Sequence, residues 1–398
     1  MINRWLKNWK IGAAVLILLI GGLSLGFNLK KIVHKPSAPN TTALDTEKVN
    51  NAATGEQEAQ ELKIYDTWTH FSTSDGLPSN KINCVKADGD MVWVGTDKGL
   101  AVMEGGQVTR VYGKEDGLAH ANVVSVEVSK LTGDIWIGTM GGLNRLSAGR
   151  FDTFNQFNSG MPNDVVYQVY CIDKYVWVAT GGGAGLYDIY SKQWNIFTEQ
   201  NAPMHEPWTY GISGGDGKVY IAAWGGGIIE YEMETGQMRD YTDPDQEMEI
   251  DLFPDDGLVH DITTGSSYSE GVLWVGTYFG MSRYDGTRWK GYFDHDSGLA
   301  SNFINFTKAQ GLAVWLCTDN GLSNFNGETW ITYRPVPDSN KGEVIITKGD
   351  SKKTILTNGS VSHNFIWGMD YQDDVIWIAS AKGLTRGEAS GKLMAKAD

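Results

Sequence analysis

One short motif recurs seven times along the chain, and it constrains the fold more than any other feature. Each copy is an aromatic residue between aliphatic residues, followed by a small residue, as in VWVGT at 92–96. The central aromatic residues are Trp93, Trp136, Trp177, Tyr220, Trp274, Trp315 and Trp377. A glycine follows each copy and allows the positive φ of a tight hairpin turn. A repeat of about 42 residues with this pattern predicts four short strands per unit.

Four strands in a unit of this size make one blade of a β-propeller. The seventh copy ends at Gly383 with no outer strand after it, whereas an outer-strand pattern at 68–71 (WTHF) precedes the first copy. We therefore predict an all-β, seven-bladed β-propeller over 63–390, whose N-terminal strand closes the last blade and leaves no open sheet edge. Bulky residues lie three apart in the predicted outer strands, as at Phe151 and Phe154. This spacing differs from the two-residue period of a strand, so we also predict a bulge there.

The N-terminal part of the chain has a different character. Residues 11–27 carry no charge, and a helix over 11–29 is long enough to cross a bilayer. We predict an uncleaved transmembrane signal anchor there, after a cytoplasmic segment at 1–10, and the alternative is a cleaved signal peptide. The polar stretch 30–62 is predicted to be a flexible tether, and 391–398 a polar tail. This arrangement places the propeller on the periplasmic or extracellular side of the cytoplasmic membrane.

Composition excludes several classes of function. The net charge is −15, from 33 Lys and Arg against 48 Asp and Glu, which argues against a nucleic-acid partner. Three cysteines without a CxxC pair exclude a disulfide scaffold, a cysteine zinc site and covalent c-type haem. Cys84, Cys171 and Cys317 lie in predicted strands and are expected in the core. No cofactor is expected.

The blade topology predicts which loops share a face. With strands A to D counted outward from the channel, the D-to-A and B-to-C loops emerge together on what we call the lower face. Two insertions, the acidic 243–256 and the lysine-containing 335–358, fall between D and A strands. Insertions concentrated on one face of a repeat protein often mark its binding face.

Polar side chains align at the start of strand A in several blades. A funnel with an apolar wall and a few convergent polar groups is the usual form of a ligand site, and imidazoles would make it pH-responsive or metal-binding. The alternative is a turn in which these side chains cap backbone groups. Whether a metal binds is left open, because convergence of three ligands does not follow from spacing. The candidate ligand-binding residues are His120, His205, His260, His363, Asn80, Asn302, Asn364, Trp224 and Tyr278.

The repeated string DGLPSNKINCVKADGDMVWVGTDKGL at 75–100, with echoes such as EDGLAHANVV…IWIGTMGGL, resembles the two-component regulator propeller repeat. That resemblance covers about 64–390 and implies an extracytoplasmic sensor or ligand-binding propeller. Family members with kinase output continue into an immunoglobulin-like spacer, a second membrane span and a kinase. The sequence contains no kinase-like motif and no second apolar span, so we expect no phosphotransfer from this polypeptide.

These features together predict a membrane-anchored extracytoplasmic sensor or binding propeller without catalysis. Its partner would be a protein or small ligand outside the membrane, for example a separate signalling protein or an envelope complex. The first alternative is an enzyme, a metal-assisted lyase or hydrolase that uses the channel histidines. The second is a structural subunit of an envelope assembly, docked through the acidic insertion.

Overall fold

Seven antiparallel β-sheets are formed by the residues that the computed structural model describes, which are 59–245 and 256–390. The innermost strands of successive sheets lie side by side, and the seventh contacts the first, so the ring is closed. The seven-bladed propeller is thereby confirmed. The predicted anchor, nearly all of the tether, most of the acidic insertion and the polar tail lie outside the described residues.

The first four blades follow the predicted order of strands A to D. Blade one contains β2 (Ile82–Asp88), β3 (Met91–Thr96), β4 (Gly99–Glu104) and β5 (Gln107–Tyr112). Blade two contains β6 (Val123–Val128), β7 (Ile135–Thr139), β8 (Gly142–Ser147) and β9 (Arg150–Phe154). Blade three contains β10 (Val166–Ile172), β11 (Tyr175–Thr180), β12 (Gly183–Asp188) and β13 (Gln193–Phe197). Blade four contains β14 (Thr209–Gly215), β15 (Lys218–Ala223), β16 (Gly227–Glu232) and β17 (Met238–Tyr241).

The last three blades include two departures from the simple unit. Blade five contains β18 (Thr263–Ser269), β19 (Val272–Thr277), β20 (Met281–Tyr284) and β21 (Trp289–Tyr292). Blade six contains β22 (Ile304–Gln310), β23 (Ala313–Thr318), β24 (Gly321–Phe325), β25 (Thr329–Pro335), β26 (Gly342–Lys348) and β27 (Ser351–Thr357). Blade seven contains β28 (Ile366–Gln372), β29 (Val375–Ser380), β30 (Gly383–Glu388) and the N-terminal strand β1 (Thr67–Phe71).

The N-terminal strand closes the ring as predicted. β1 pairs antiparallel with β30, from Thr67 opposite Glu388 to Phe71 opposite Leu384. Packing begins before residue 63, because Leu62 is buried in the core between blades six and seven and the Gln60 side chain accepts the N–H of Leu312. The last residues of the predicted tether therefore belong to the propeller.

The second insertion is a hairpin rather than a loop on the lower face. β26 pairs with the outer strand β25, and β27 pairs with β26, so blade six has six strands. The turn at Gly349–Asp350 consequently points to the upper face, which carries the A-to-B and C-to-D loops. The expectation that 335–358 lies on the lower face is wrong, because its alternating β-branched residues, such as Val344 and Ile346, complete a sheet.

The predicted outer-strand bulge occurs in blade one, between Val102 and Met103 of the pair β4–β5. In blade two, the three-residue spacing of the bulky residues has a different physical reason. Phe151 packs into the core between blades one and two, whereas Phe154 packs into the core between blades two and three. Residues three apart in a pleated strand point to opposite faces, so each outer strand covers both neighbouring cores.

Register shifts are instead found in strand A of all seven sheets, as between Ile82 and Cys84 of blade one. A bulge increases the local right-handed twist of its strand.

The core lies between the faces of adjacent blades. The strand-B aromatic residues fill it, and Trp136, Trp177 and Trp315 are fully buried. Trp177 stacks on Phe197 of the outer strand with ring centroids 5.4 Å apart. Burying side chains of this size dominates the stability of such a fold.

Helices are short in the described part of the chain. They are α1 (Gln156–Ser159) and two single 3₁₀ turns at Thr73–Asp75 and Lys114–Asp116. Within 59–245 and 256–390, no helix has the length and apolar character needed to traverse a bilayer.

Candidate functional site

The aligned histidines of the lower face share one local geometry. Nδ1 of His120, His260 and His363 each accepts a hydrogen bond from the backbone N–H two residues later, at 3.0, 2.9 and 3.0 Å. In other blades, the same bond is accepted by the side chains of Ser79, Asn163 and Ser301. The cap that sequence analysis gave as the alternative is therefore present. It occupies Nδ1 of each imidazole and places the proton of the neutral ring on Nε2.

The next position in the turn has a second structural role. Oδ1 of Asn80 and Oδ1 of Asn302 accept the backbone N–H of Thr73 and Asp294, each at 2.8 Å. Aspartates do the same in two other blades, where Asp164 binds Gln156 and Asp261 binds Asp243. Asn364 differs, because its Oδ1 is buried without a hydrogen-bond partner in the described structure.

A cavity opens on the lower face between blades four and five. Its volume is about 340 Å³, within the range of small-ligand pockets. We call it the blade 4–5 cavity, and its lining residues are His205, Gly225, Thr242, Asp243, His260 and Asp261. It brings together two of the predicted histidines. His120 and His363, which belong to blades two and seven, do not line it.

Carboxylates dominate the electrostatics of the blade 4–5 cavity. The backbone N–H of Asp243 donates to Oδ1 of Asp261 at 2.7 Å, and the Asp243 side chain is itself buried. Burial, together with the neighbouring Asp243 charge, raises the pKa of Asp261 to about 6. At the rim, Nε2 of His205 lies 3.5 Å from Oδ2 of Asp240.

Sequence reasoning missed Asp261, although a signal for it existed. Asp261 occupies the position of Asn80, Asn302 and Asn364 in the aligned repeats, so it is an acid in place of an amide. The approach of Asp243 to Asp261 depends on how the first insertion leaves blade four, and the spacing does not encode that.

Aromatic side chains contact His260 of the cavity wall and contact one another across blades four to six. The His260 ring stacks on Phe279 at 4.2 Å, and burial lowers the pKa of His260, which favours the neutral imidazole. Trp224 and Tyr278, both predicted, meet edge to face at 5.1 Å. The row continues from Tyr278 to Phe303, whose rings stack at 3.6 Å. Trp224, Tyr278 and Phe303, from blades four, five and six, thus form a row of ring contacts.

A second polar cluster, unforeseen from the sequence, lies on the innermost strands. Nζ of Lys86 is 2.7 Å from Glu127 and 3.8 Å from Asp370, and Nζ of Lys308 is 3.1 Å from Asp370. Burial alone would raise the pKa of Asp370, but Lys308, Lys86 and the N–H of Ala87 lower it on balance. Two cations and two anions from four blades compensate one another, so this cluster joins the blades.

The three cysteines lie in β2, β10 and β23 and are buried or partly buried. Burial raises the pKa of Cys84 to about 12 and also raises that of Cys317, which keeps both thiols protonated. Across the described ranges, no three His, Cys, Asp or Glu side chains are grouped so that they could hold a metal ion.

Solved structures share this fold at low sequence identity. One is the extracellular domain of a protein designated a hybrid two-component system of B. thetaiotaomicron, with 19% identity and a TM-score of 0.61 over 82% of this chain and 42% of that chain. A second such domain from B. thetaiotaomicron has 17% identity and a TM-score of 0.59 over 81% of this chain and 40% of that chain. This chain therefore spans less than half the length of either protein.

An enzyme has the same architecture. Virginiamycin B lyase from Staphylococcus aureus is 12% identical, with a TM-score of 0.57 over 81% of this chain and 98% of the lyase. Identities this low show the propeller fold alone. No protein-family model matches the chain, and no curated protein matches it.

Proposed function

We propose that this protein is a membrane-anchored, extracytoplasmic sensor or binding propeller that recognises its ligand or partner at the lower face without catalysis. The blade 4–5 cavity is the observation that carries the proposal. It combines a ligand-sized volume with two imidazoles and two carboxylates, one of which, Asp243, is the first residue of the acidic insertion.

The local geometry favours binding over chemistry. Nδ1 of His260 is held by the backbone, so this imidazole has only Nε2 left and cannot relay a proton between two partners. His205 sits at the rim with about two thirds of its side chain exposed. Groups of this kind orient a ligand through hydrogen bonds and charge.

Anchoring is supported by the uncharged segment 11–29. An extracytoplasmic location agrees with the fold shared with extracellular domains of two-component systems. We expect the full chain to resist carbonate extraction from membranes and its propeller to be cleaved by protease added to spheroplasts. Leu18→Arg with Leu19→Arg should release the chain, because arginine at the bilayer centre costs about 2.5–3.5 kcal/mol per residue. A full chain in the soluble fraction, or protection from external protease, would contradict this part of the proposal.

Ligand recognition is tested with the full chain in detergent. Thermal shift is measured against amines, amino acids, sugars, carboxylates and nucleosides, and at least one class should raise the melting temperature. Thr242→Trp fills the cavity and should abolish that shift. Ser191→Trp, on an exposed upper-face loop, is the matched control and should keep it. If nothing shifts the native chain, or if both variants respond alike, the cavity is not the recognition site.

An enzyme remains the second candidate, because a carboxyl whose pKa is about 6 beside an imidazole is suited to acid–base chemistry near neutral pH. Mass spectrometry of each bound compound after incubation separates the two. Recovery of unchanged ligand supports a binding protein, whereas turnover that Asp261→Asn abolishes would establish an enzyme.

A further inference from the structure

We infer that the lower mouth of the channel binds an aromatic carboxylate, whose ring packs on aromatic side chains of the innermost strands and whose carboxylate is bound by Lys81. This inference goes beyond the proposed function, because Lys81 and the aromatic residues involved are not among those that line the blade 4–5 cavity. Two sources share the ligand chemistry, namely a free aromatic acid and the C-terminal aromatic residue of a peptide.

The bulges of the innermost strands place one side chain per blade at this mouth. In each strand A, the register shift near the lower end leaves one residue without an opposite partner in strand B, and a bulge of this kind re-aims the side chain. All seven of these residues are partly exposed. We call them the bulge girdle, and they are Asn83, Val124, Tyr167, Tyr210, Thr264, Asn305 and Trp367.

The polar members of the bulge girdle have a structural role. Asn83, Thr264 and Asn305 each donate a hydrogen bond to a backbone carbonyl of the next blade, at 2.8, 2.7 and 3.0 Å. Trp367 does not share this role, because its Nε1 has no hydrogen-bond partner in the described structure. The polar members therefore tie neighbouring blades, whereas the aromatic members contribute ring surface.

Aromatic rings are in contact from blade three to blade six at this end of the channel. Tyr167 meets Tyr210 with centroids 4.5 Å apart, and Tyr210 meets Trp224 at 5.3 Å. The ring contacts described above continue this series through blades five and six. In blade seven, Trp367 packs on Phe365 at 4.5 Å. Partly exposed rings of this number favour a ligand that is itself aromatic, because ring pairs gain from edge and offset-stacked contacts.

Lys81 supplies the positive charge of the site. It directly precedes β2, and its Nζ lies 5.9 Å from the centre of the Trp367 ring across the junction of blades seven and one. No carboxylate in the described part of the chain forms an ion pair with Lys81. A carboxylate bound by this ammonium would form a charge-assisted hydrogen bond, which is stronger than a neutral one.

The other charges around the mouth leave Lys81 in excess. The B-to-C turns at this end of the blades carry two acids and two lysines, which are Asp97, Asp319, Lys98 and Lys382. Their formal charges cancel. The chain as a whole has a net charge of −15, so a lysine that is kept without an acidic partner departs from its general composition. One uncompensated cation suits a ligand with one anionic group.

The position of Lys81 also limits the shape of the ligand. Because its Nζ lies beside the Trp367 ring, an anion bound there is close to any group that packs on this ring. The carboxylate should therefore be joined to the aromatic ring directly or through a short linker. Phenylacetate and indole-3-acetate have this form, and so does a C-terminal phenylalanine.

The experiment is isothermal titration of the full chain in detergent at pH 7.5, with matched ligands. Phenylacetate is compared with phenylacetamide to test the charge, and with cyclohexylacetate to test the ring. Acetyl-Gly-Phe is compared with its C-terminal amide to test the peptide source. An acid should bind about tenfold more tightly than its amide, and phenylacetate about threefold or more tightly than cyclohexylacetate. Preference for the small acid identifies a free acid, and preference for the peptide identifies a chain terminus.

Lys81→Gln should reduce the affinity for the acid about tenfold and leave that for the amide unchanged, because only the charge is removed. Lys130→Gln is the matched control, since Lys130 is exposed on an A-to-B turn of the upper face. Equal affinities for acid and amide, for phenylacetate and cyclohexylacetate, or for the native chain and Lys81→Gln would overturn the inference.

Thr242→Trp separates this site from the blade 4–5 cavity, which it fills, and should leave the binding of phenylacetate unchanged. If Thr242→Trp abolishes that binding, the acid occupies the cavity, so this inference fails while the proposed function stands. If none of the acids binds the native chain, only the inference at the channel mouth is overturned, because ligands of other classes still test the cavity.

Discussion

Trp68 of the first strand pairs with Gly387 of the last strand, and its ring fills the space that a side chain at position 387 would need. A Cβ atom on Gly387 would lie 2.7 Å from Cζ3 of Trp68 and 2.9 Å from Cγ1 of Ile376. The first and last strands of the propeller are thus complementary in shape. Closure of the ring depends on this fit as well as on the hydrogen bonds of the strand pair.

Gly387→Ala should destabilise the propeller by about 1–3 kcal/mol, because the added methyl group overpacks the closing blade. Guanidinium unfolding of the full chain measures the change. Gly265→Ala is the control, since its Cβ would meet nothing closer than 3.7 Å. Equal midpoints for the two variants would show that the closing blade tolerates the extra volume.

The segment before β1 is held by a buried phenol. The Tyr333 hydroxyl accepts the N–H of Tyr65 at 3.2 Å and donates to the carbonyl of Lys63 at 3.3 Å. Tyr333→Phe should cost about 1–2 kcal/mol, because both backbone groups lose a partner. Urea unfolding tests this, with the exposed Tyr190→Phe as the control. An unchanged free energy of unfolding for Tyr333→Phe would mean that this segment is not bound through the phenol.

The capping role of the histidines predicts a clear difference between two substitutions. His260→Asn should fold like the native chain, because Asn163 makes the same bond in blade three. His260→Ala should lose about 1 kcal/mol. Thermal unfolding measures both, and ¹⁵N NMR of the native imidazole should show the Nε2–H tautomer. The Nδ1–H tautomer, or equal stabilities of the two variants, would refute the cap.

The cluster of Lys86, Glu127, Lys308 and Asp370 on the innermost strands predicts that part of the folding stability is lost in acid. Lys308 and Lys86 lower the pKa of Asp370 against the effect of burial. The Asp370 carboxylate therefore stabilises the fold at any pH above ~3.9, which is the pKa of aspartate in an unfolded chain. That contribution is lost as the pH falls through the lower folded pKa. Asp370→Asn should cost about 3 kcal/mol at pH 7, because Lys308 loses its partner.

Urea unfolding between pH 7 and pH 2.5 checks the sign of this effect. The gap in stability between the native chain and Asp370→Asn should shrink below pH 4. Asp373→Asn, at an exposed turn after the same strand, should show no such gap. A gap that widens in acid would contradict the assignment.

The cysteines should be inert in the folded protein. Burial raises the pKa of Cys84 to about 12 and also raises that of Cys171 and Cys317. Reaction with a thiol reagent at pH 8 should be about 100-fold slower than in guanidinium, where all three thiols react. Fast reaction of one native thiol would show that it is exposed.

Much of the architecture could be predicted because it depends on local pattern. Trp136 and Trp177 mark strands by their aliphatic neighbours, and 68–71 supplies the outer strand that the seventh repeat lacks. The hairpin β26–β27 differs from the lower-face loop that the sequence predicts, because insertion length alone does not say whether a segment pairs with an edge strand. The three-residue spacing of bulky residues in the outer strands likewise comes from packing against two neighbouring blades, and a bulge in every outer strand is not needed for it.

The repeat by itself determined the number of blades, their order and the face on which His120, His205, His260 and His363 lie, because each depends on contacts within one unit or between consecutive units. Only the tertiary structure decided which of these side chains share a site. His205 and His260 line one cavity between blades four and five, where the backbone N–H of Asp243 donates to Asp261. Equivalent positions in the repeat have equal spacing in the sequence, but their surroundings differ with the neighbours that ring closure brings to each blade.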